Sequence, residues 1–258
     1  MDLKLSKQRF IVTGASSGFG RAIAERLLLE GANIIAVARR QEKLNELTKI
    51  KGGSTTLVSD DLTQSDTIEA IVSTAGVEPL HGVVFNAGGP PPSSALETQM
   101  SDWDAAYELV MRWKIKLAKK LIPQLKSQQY GRLLFIESGS TKQPIPNLVL
   151  SNAFRLGVVG FAKTLAGEVA SNGITVNVLA PGAHDSPAIE RVINKKAEET
   201  GKTFDQAEFS LKESIPIKRM GKPEEMASLA TWLLSKDAGY VTGQTISHAG
   251  GKIQGVFG

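Results

Sequence analysis

Cysteine is missing from this chain of 258 residues, and aromatic residues make up only 6% of it. Without thiols the protein has no disulfide, no thiolate nucleophile and no cysteine-bound metal, and we predict no metal centre. No apolar run approaches the roughly 20 residues that cross a bilayer, and the first residues do not form a secretory signal. We therefore expect a cytoplasmic protein that does not bind membranes.

Net charge is also small, because lysine and arginine exceed aspartate and glutamate by only four over the whole chain. This balance suits anionic small molecules or an acidic partner. No nucleic-acid-binding motif accompanies it, so we predict no binding to nucleic acid. The chain is long enough for a large core and shows no linker, which predicts one domain over residues 1–258.

The most informative stretch is residues 10–24, where an apolar run ends at a glycine-rich turn and a helical pattern begins. This order predicts a strand, a phosphate-binding loop and a helix. Gly14 permits a tight turn, Gly18 lets the backbone approach a diphosphate, and Gly20 lets the helix pack closely on the strand. The N–H groups at the helix start then face the anion. The predicted cofactor-binding loop comprises Gly14, Ser16, Ser17, Gly18, Phe19 and Gly20.

The end of the second predicted strand, residues 32–38, carries Arg39 and Arg40 and no carboxylate. In dinucleotide-binding folds an acidic residue near this point binds the ribose 2′-hydroxyl, whereas arginine accommodates a 2′-phosphate. The pattern therefore favours NADP(H) over NAD(H). The alternative is that both arginines are solvated residues at a helix start.

Two further predicted strands, residues 55–59 and 82–85, end in cofactor-binding candidates. Ligands of open α/β sheets lie at the carboxyl ends of the strands. Asp61 could accept a hydrogen bond from the adenine amine, or it could cap the next helix. The small residues that follow the second of these strands allow close backbone approach. The candidates are Asp61, Leu62, Asn86, Ala87 and Gly88.

Strands alternate with helices along the whole chain, which predicts a single-domain, Rossmann-type, doubly wound α/β fold with a seven-stranded parallel sheet and helices on both faces. A polar insert at residues 186–218 is expected to be a substrate lid, with disorder as the alternative. On a predicted helix over residues 101–128, Arg112, Lys116 and Lys120 form a basic stripe. The stripe is either a solvated face or a docking site for an acidic partner.

With these pieces located, the chain resembles the classical short-chain dehydrogenase/reductase family over almost its entire length, and within it the 3-oxoacyl-carrier-protein reductases. The resemblance implies hydride transfer between NADP(H) and a small-molecule carbonyl or alcohol substrate, in a homo-oligomer that is a tetramer or dimer. It also makes an acyl-carrier protein a candidate partner and places Pro181, Gly182 and Ser186 against the nicotinamide. The residues that carry it are the glycine loop, Asp61-Leu62, Asn86-Ala87-Gly88, Ser138, Asn177, Pro181-Gly182 and Gly243.

The catalytic positions of the family are only partly kept. The family uses a serine, a tyrosine, a lysine four residues after the tyrosine, and an asparagine. A serine hydroxyl is shorter than a phenol and a far weaker acid, and a guanidinium keeps its proton near neutral pH. No tyrosine elsewhere rescues the pattern, since Tyr107, Tyr130 and Tyr240 are each followed four residues later by a residue other than lysine. The four family positions are occupied here by Ser138, Ser151, Arg155 and Val110.

Two functions are compatible with these residues. In the first, the protein is an active reductase in which the proton comes from a water held between Ser138, Ser151 and Arg155, or from His184. Arg155 would also bind the cofactor ribose. A lone loop histidine such as His184 is more often solvated, and His248 is given no role. In the second, the protein binds NADP(H) without turnover, as a sensor or scaffold.

Overall fold

The computed structural model describes residues 2–255, and within them all strands belong to one parallel sheet with the order β3-β2-β1-β4-β5-β6-β7. The predicted fold class is therefore confirmed. Chain order reverses between β1 and β4, which are neighbours although β2 and β3 separate them in sequence. Ligands bind at such a reversal in open sheets. The strands are β1 (Arg9–Thr13), β2 (Asn33–Val37), β3 (Thr55–Val58), β4 (Gly82–Phe85), β5 (Gly131–Ile136), β6 (Ile174–Pro181) and β7 (Thr245–His248).

Helices cover both faces of the sheet, as buried strands without polar alternation require. One core lies between the sheet and α1 and α9, and the other lies between the sheet and α3, α5 and α6. The helices are α1 (Gly18–Leu29), α2 (Gln41–Leu47), α3 (Ser65–Gly76), α4 (Met100–Tyr107), α5 (Trp113–Gln128), α6 (Val149–Val169), α7 (Pro187–Thr200), α8 (Phe204–Glu213) and α9 (Pro223–Leu234). No helix in residues 2–255 is long and apolar enough to cross a membrane.

Three expectations need correction or refinement. The helix predicted over residues 101–128 is interrupted by a π-helical segment, Glu108–Arg112, between α4 and α5. The basic stripe on this helix is not a free docking face, because Lys120 pairs with Glu69 of α3 at 2.8 Å and Lys116 donates to the Ser65 hydroxyl. The insert at residues 186–218 is ordered as α7 and α8, so the disorder alternative is wrong.

Candidate functional site

The glycine loop after β1 needs its glycines for space as well as for backbone conformation. Gly14 has a φ of +62°, and a Cβ there would lie 2.6 Å from Asn86 Nδ2. A Cβ on Gly20 would overlap the Gly14 carbonyl. Gly18 also has a positive φ but faces open space. The loop therefore packs tightly against β4 on one side and leaves its outer side open to a ligand.

The open side of this loop is electropositive. No acidic residue stands in the first turn of α1, and its N-cap Ser17 makes no side-chain cap hydrogen bond. Instead the Arg40 guanidinium donates to the Ser17 hydroxyl at 2.7 Å and to the Ser16 hydroxyl at 3.1 Å. Helix N-termini attract anions, and arginine matches phosphate geometry. These residues fit the phosphates of a nicotinamide dinucleotide.

Arg39 and Asp61 are brought together rather than left separate. Their side chains form an ion pair at 3.6 Å, although 76% of the Arg39 side chain is exposed. The Thr63 backbone N–H and hydroxyl both donate to Asp61 at 2.9 Å. The hydrogen bond from the Thr63 N–H, with smaller help from Arg39, lowers the pKa of Asp61 and keeps it ionised. Asp61 therefore orders its own turn, and Arg40, not Arg39, is the arginine bound to the glycine loop.

Asn86 and Thr13 join the ends of β4 and β1 beneath the loop. The Thr13 hydroxyl donates to the Asn86 carbonyl and accepts from its backbone N–H, both at 2.8 Å. Ala87 and Gly88 follow Asn86 in the chain, and Gly88 is exposed. The two hydrogen bonds between Thr13 and Asn86 therefore fix the position of the small residues that follow β4. Leu62, another predicted residue, packs against the core on the α3 side.

Ser151 and Arg155 lie one turn apart on α6 and contact each other. Arg155 Nε donates to the Ser151 hydroxyl at 3.1 Å, and its Nη1 donates to the backbone carbonyl and side-chain Oε2 of Glu137, both at 3.1 Å. Ser138, at the end of β5, accepts a hydrogen bond from the Ser140 N–H. Both serine oxygens thus accept an N–H, which leaves each hydroxyl hydrogen free to donate to a substrate oxygen.

Glu137 and Lys114 are site residues that the sequence reasoning missed. The Lys114 ammonium forms an ion pair with Glu137, so one carboxylate is held between two cations, Lys114 and Arg155. The side chain of Glu137 is fully buried, and that of Lys114 is 2% exposed. Burial lowers the pKa of Lys114 to about 8, opposed by the attraction of Glu137 and assisted by the repulsion of Arg155. The cluster carries a net charge of +1 while Lys114 is protonated.

A signal for this cluster was present in the sequence. Glu137 directly follows β5, a strand that is buried along its whole length, and a carboxylate there is expensive to bury without cations. Lys114 stands on the inner side of α5, two residues after the π-helical segment, among Trp113, Leu117 and Ala118, which are all buried. π-Helical turns occur often at functional sites. Pairing an acid at a strand end with a lysine on a buried helix face would have identified both residues.

His184 is not solvated, contrary to expectation. It is 2% exposed, meets the Phe19 ring edge-on at 5.0 Å, and lies with its Nε2 2.8 Å from His248 Nδ1. Its Nδ1 faces the Gly182 carbonyl at 3.1 Å, which can only accept, so Nδ1 carries the proton and Nε2 accepts from His248. Burial lowers the pKa of His184. This ring is a neutral packing element that joins the glycine loop to the ends of β6 and β7.

The remaining predicted residues lie in β6, directly after β6, or at the start of α7. Pro181 ends β6, and the Gly182 N–H donates to the His248 carbonyl at 3.0 Å. Ser186 is the N-cap of α7 and makes no side-chain cap hydrogen bond. Asn177 has a structural role, because its side chain donates to the Val241 carbonyl and accepts from the Gln244 N–H, tying β6 to the segment before β7.

Comparison with known proteins covers nearly the whole chain. A family model described as enoyl-(acyl carrier protein) reductase matches residues 14–252. Nodulation protein G of a Rhizobium species is 33% identical over 251 residues, which are 96% of this chain and 98% of that protein. The 3-oxoacyl-acyl-carrier-protein reductase of Rickettsia bellii is 31% identical over 251 residues, or 97% of this chain and 99% of that protein.

The chain belongs to the classical short-chain dehydrogenase/reductase family. Two solved structures agree with this chain in fold. L-sorbose reductase from Gluconobacter frateurii, complexed with NADPH and L-sorbose, gives a TM-score of 0.93 at 29% identity and covers 99% of this chain and 100% of its own. A variant of actinorhodin polyketide ketoreductase with NADPH gives a TM-score of 0.90 at 28% identity and covers 96% of this chain and 98% of its own. The predicted resemblance to 3-oxoacyl-acyl-carrier-protein reductases is thereby confirmed.

Proposed function

We propose that this protein binds NADP(H) in preference to NAD(H) and uses it to reduce a carbonyl substrate. The observation that carries the proposal is the Arg40 guanidinium, which lies on the glycine loop bonded to Ser16 and Ser17. Arginine in that position favours a 2′-phosphate, and no acidic residue stands in the first turn of α1. NADPH in the structures of related reductases supports the same cofactor.

In the proposed reaction the cofactor and the protein have separate tasks. NADPH, when bound, supplies the hydride. The protein must then hold the carbonyl, stabilise the negative charge that develops on its oxygen, and provide a proton. Ser138 and Ser151 are the proposed donors to that oxygen, because each has a hydroxyl hydrogen not used within the protein. Preorganised donors of this kind often make the largest contribution to stabilising a developing oxyanion.

Arg155 has two proposed tasks. Its bond to Ser151 orients that hydroxyl, and its charge favours an oxyanion nearby. The Arg155 Nη2 lies 3.1 Å from where a Cβ on Gly89 would stand, so the guanidinium reaches the segment after β4, and its second proposed task is to bind the cofactor ribose. Because a guanidinium does not release its proton, the proton is proposed to come from a water between Ser138, Ser151 and Arg155. His184 is not the proposed donor, because its Nδ1 faces the Gly182 carbonyl and its Nε2 lies against His248.

The insert at residues 186–218 is proposed to be the substrate lid of a single domain spanning residues 1–258. Helices α7 and α8 pack on each other through Ile193 and Ala207 as a small cluster apart from the main cores. Such a separately packed unit can move without disturbing the sheet. By similarity to the Rickettsia bellii reductase, a 3-oxoacyl group, presented by an acyl-carrier protein, is a candidate substrate.

A cytoplasmic homo-oligomer, dimer or tetramer, is also proposed. Exposed apolar side chains on α4 and α6, Tyr107 at 38% and Leu156 at 53%, support burial against a second copy. Light scattering of the purified protein tests the oligomeric state directly. A monomer at micromolar concentration would contradict it.

NADPH oxidation with a panel of 3-oxoacyl thioesters, ketones and aldehydes tests the catalytic proposal. We expect turnover with at least one ketone, lowered at least tenfold in Ser138→Ala and in Ser151→Ala, while NADPH affinity is kept. Ser127→Ala, an exposed serine in the last turn of α5, is the matched control and should keep full activity.

A second function is favoured by one observation, the replacement of the family's tyrosine and lysine by Ser151 and Arg155. In that case the protein binds NADP(H) as a sensor or scaffold without reducing a carbonyl. NADPH binding without turnover of any carbonyl in the panel would support this function and contradict the reductase proposal.

A further inference from the structure

A cavity of about 480 Å³ lies between the lid helices and the loop before α6. This size is within the usual range for small-molecule sites. Its inner wall is apolar and includes Ile193, Ala207 and Leu211 from the lid and Leu148 from the loop. At its mouth Ile145 and Val192 expose 36% and 41% of their surfaces. Apolar surface left open in a concave site of this size points to a ligand with an apolar body.

The rim of the same cavity is cationic. Lys195, Lys196, Lys202 and Lys252 line it together with a single acid, Glu199, which leaves a net charge of +3. Two of the ammonium groups are held by neutral acceptors: Lys195 donates to the Pro92 carbonyl at 3.3 Å, and Lys252 donates to the Ser214 carbonyl at 3.0 Å. These bonds fix the position of the amines without cancelling their charge. Among residues 2–255 the four lysines form no ion pair within 4 Å.

The cavity-lining loop leads directly into α6, whose first turn carries the proposed catalytic Ser151. Leu148 precedes Ser151 by three residues, and it forms an isolated β-bridge with Ser93, next to the cavity-lining Pro92. A substrate whose carbonyl lies at Ser138 and Ser151 would therefore extend its remaining part past this bridge into the cavity.

We propose that this cavity binds an alkyl chain that ends in an anionic group, either a carboxylate or a phosphate. The alkyl chain of the ligand contacts the apolar wall, and its anionic group lies at the lysine rim. The inference rests on the proposed function only in treating this ligand as part of the substrate, because binding of the ligand requires neither cofactor nor turnover.

Calorimetric titration of the full-length protein with decanoate, decyl phosphate and decanol tests the proposal. We expect either anion to bind at least tenfold more tightly than the alcohol of the same length, with the tighter anion identifying the head group. Raising the salt concentration should lower the affinity for either anion and leave the affinity for decanol unchanged. Equal affinity for the alcohol and both anions would overturn the proposal.

Variants then locate the site. The double variant Lys196→Ala and Lys202→Ala should lower the affinity for the anions about tenfold. Ser210→Trp, at an exposed position on the cavity wall, should prevent the binding of all three ligands. Lys49→Ala, an exposed lysine after α2, is the control and should change nothing. If Ser210→Trp leaves decanoate affinity unchanged, the cavity is not the binding site and the proposal falls.

NADPH titration of the same samples separates this proposal from the proposed function. Loss of anion binding in the variants with NADPH affinity intact is the expected result. A protein that binds NADPH but none of the three ligands refutes the cavity proposal alone. A protein that binds decanoate but no NADPH refutes the proposed function alone.

Discussion

Replacing Lys114 by methionine is expected to remove a pH-dependent part of the free energy of unfolding. Methionine has a similar length and no charge, and Glu137 keeps Arg155 as its partner in the variant. In the native protein burial lowers the pKa of Lys114 from 10.5 to about 8, whereas in the unfolded chain the lysine is solvated. The folded and unfolded states therefore bind different numbers of protons between these two values.

The sign follows from which state holds the proton. Below pH 8 both states are protonated, and stability does not change with this group. Between pH 8 and 10.5 the unfolded state still holds the proton while the folded state has released it, so stability rises with pH. One pKa unit corresponds to about 1.4 kcal/mol, so most of a total of about 3 kcal/mol appears between pH 7 and pH 10.

Urea unfolding of the wild type and of Lys114→Met at pH 7 and pH 10 measures this contribution. The change in free energy of unfolding between the two pH values should be about 2–3 kcal/mol more positive in the wild type than in the variant. Lys119→Met, an exposed position on the same helix, should behave like the wild type. An identical pH dependence in wild type and Lys114→Met would refute the claim that Lys114 is protonated and buried at a cost.

Three further variants test other parts of the site. Glu137→Gln leaves two buried cations without their carboxylate and should cost about 3–5 kcal/mol of stability at pH 7 in urea unfolding; a loss below 1 kcal/mol would contradict the charge cluster. His184→Gln should make the protein lose less stability in acid. The pKa of His184 is lowered in the folded state, so below about pH 6.5 the unfolded state binds a proton that the native state resists, and the wild type is destabilised. If the free energy of unfolding falls by the same amount between pH 7 and pH 5 in wild type and variant, this reasoning is wrong. Gly14→Ala should abolish NADPH binding, because the added Cβ meets Asn86 at 2.6 Å, whereas Gly160→Ala, inside α6 with open space, should not; equal affinities in both variants would contradict the tight packing of the loop.

The parallel sheet and the glycine loop could be predicted from the sequence because their strands and turns depend on local signals. Apolar runs bounded by glycine or polar residues specify the strands, and Gly14, Gly18 and Gly20 have spacing that few other structures require. The sequence did not predict the π-helical segment Glu108–Arg112 inside the helix expected over residues 101–128. It also did not predict the contact between His184 and His248, because 64 residues separate them in the chain.

The charge cluster was missed for a related reason. Lys114 and Glu137 are 23 residues apart, and neither residue alone indicates which side chain is its partner. Only the packing of α5 against β5 places the ammonium and the carboxylate in the same buried space. The altered catalytic positions at Ser151 and Arg155 were visible in the sequence, but the residue that holds Arg155 was not.

The direct test of the central claim is a calorimetric titration of the wild type, Arg39→Ala and Arg40→Ala with NADPH and with NADH. We predict that the wild type prefers NADPH, that Arg40→Ala loses this preference with little change in NADH affinity, and that Arg39→Ala has a smaller effect. A wild-type protein that binds neither nucleotide, or that binds both equally with and without Arg40, would contradict the account.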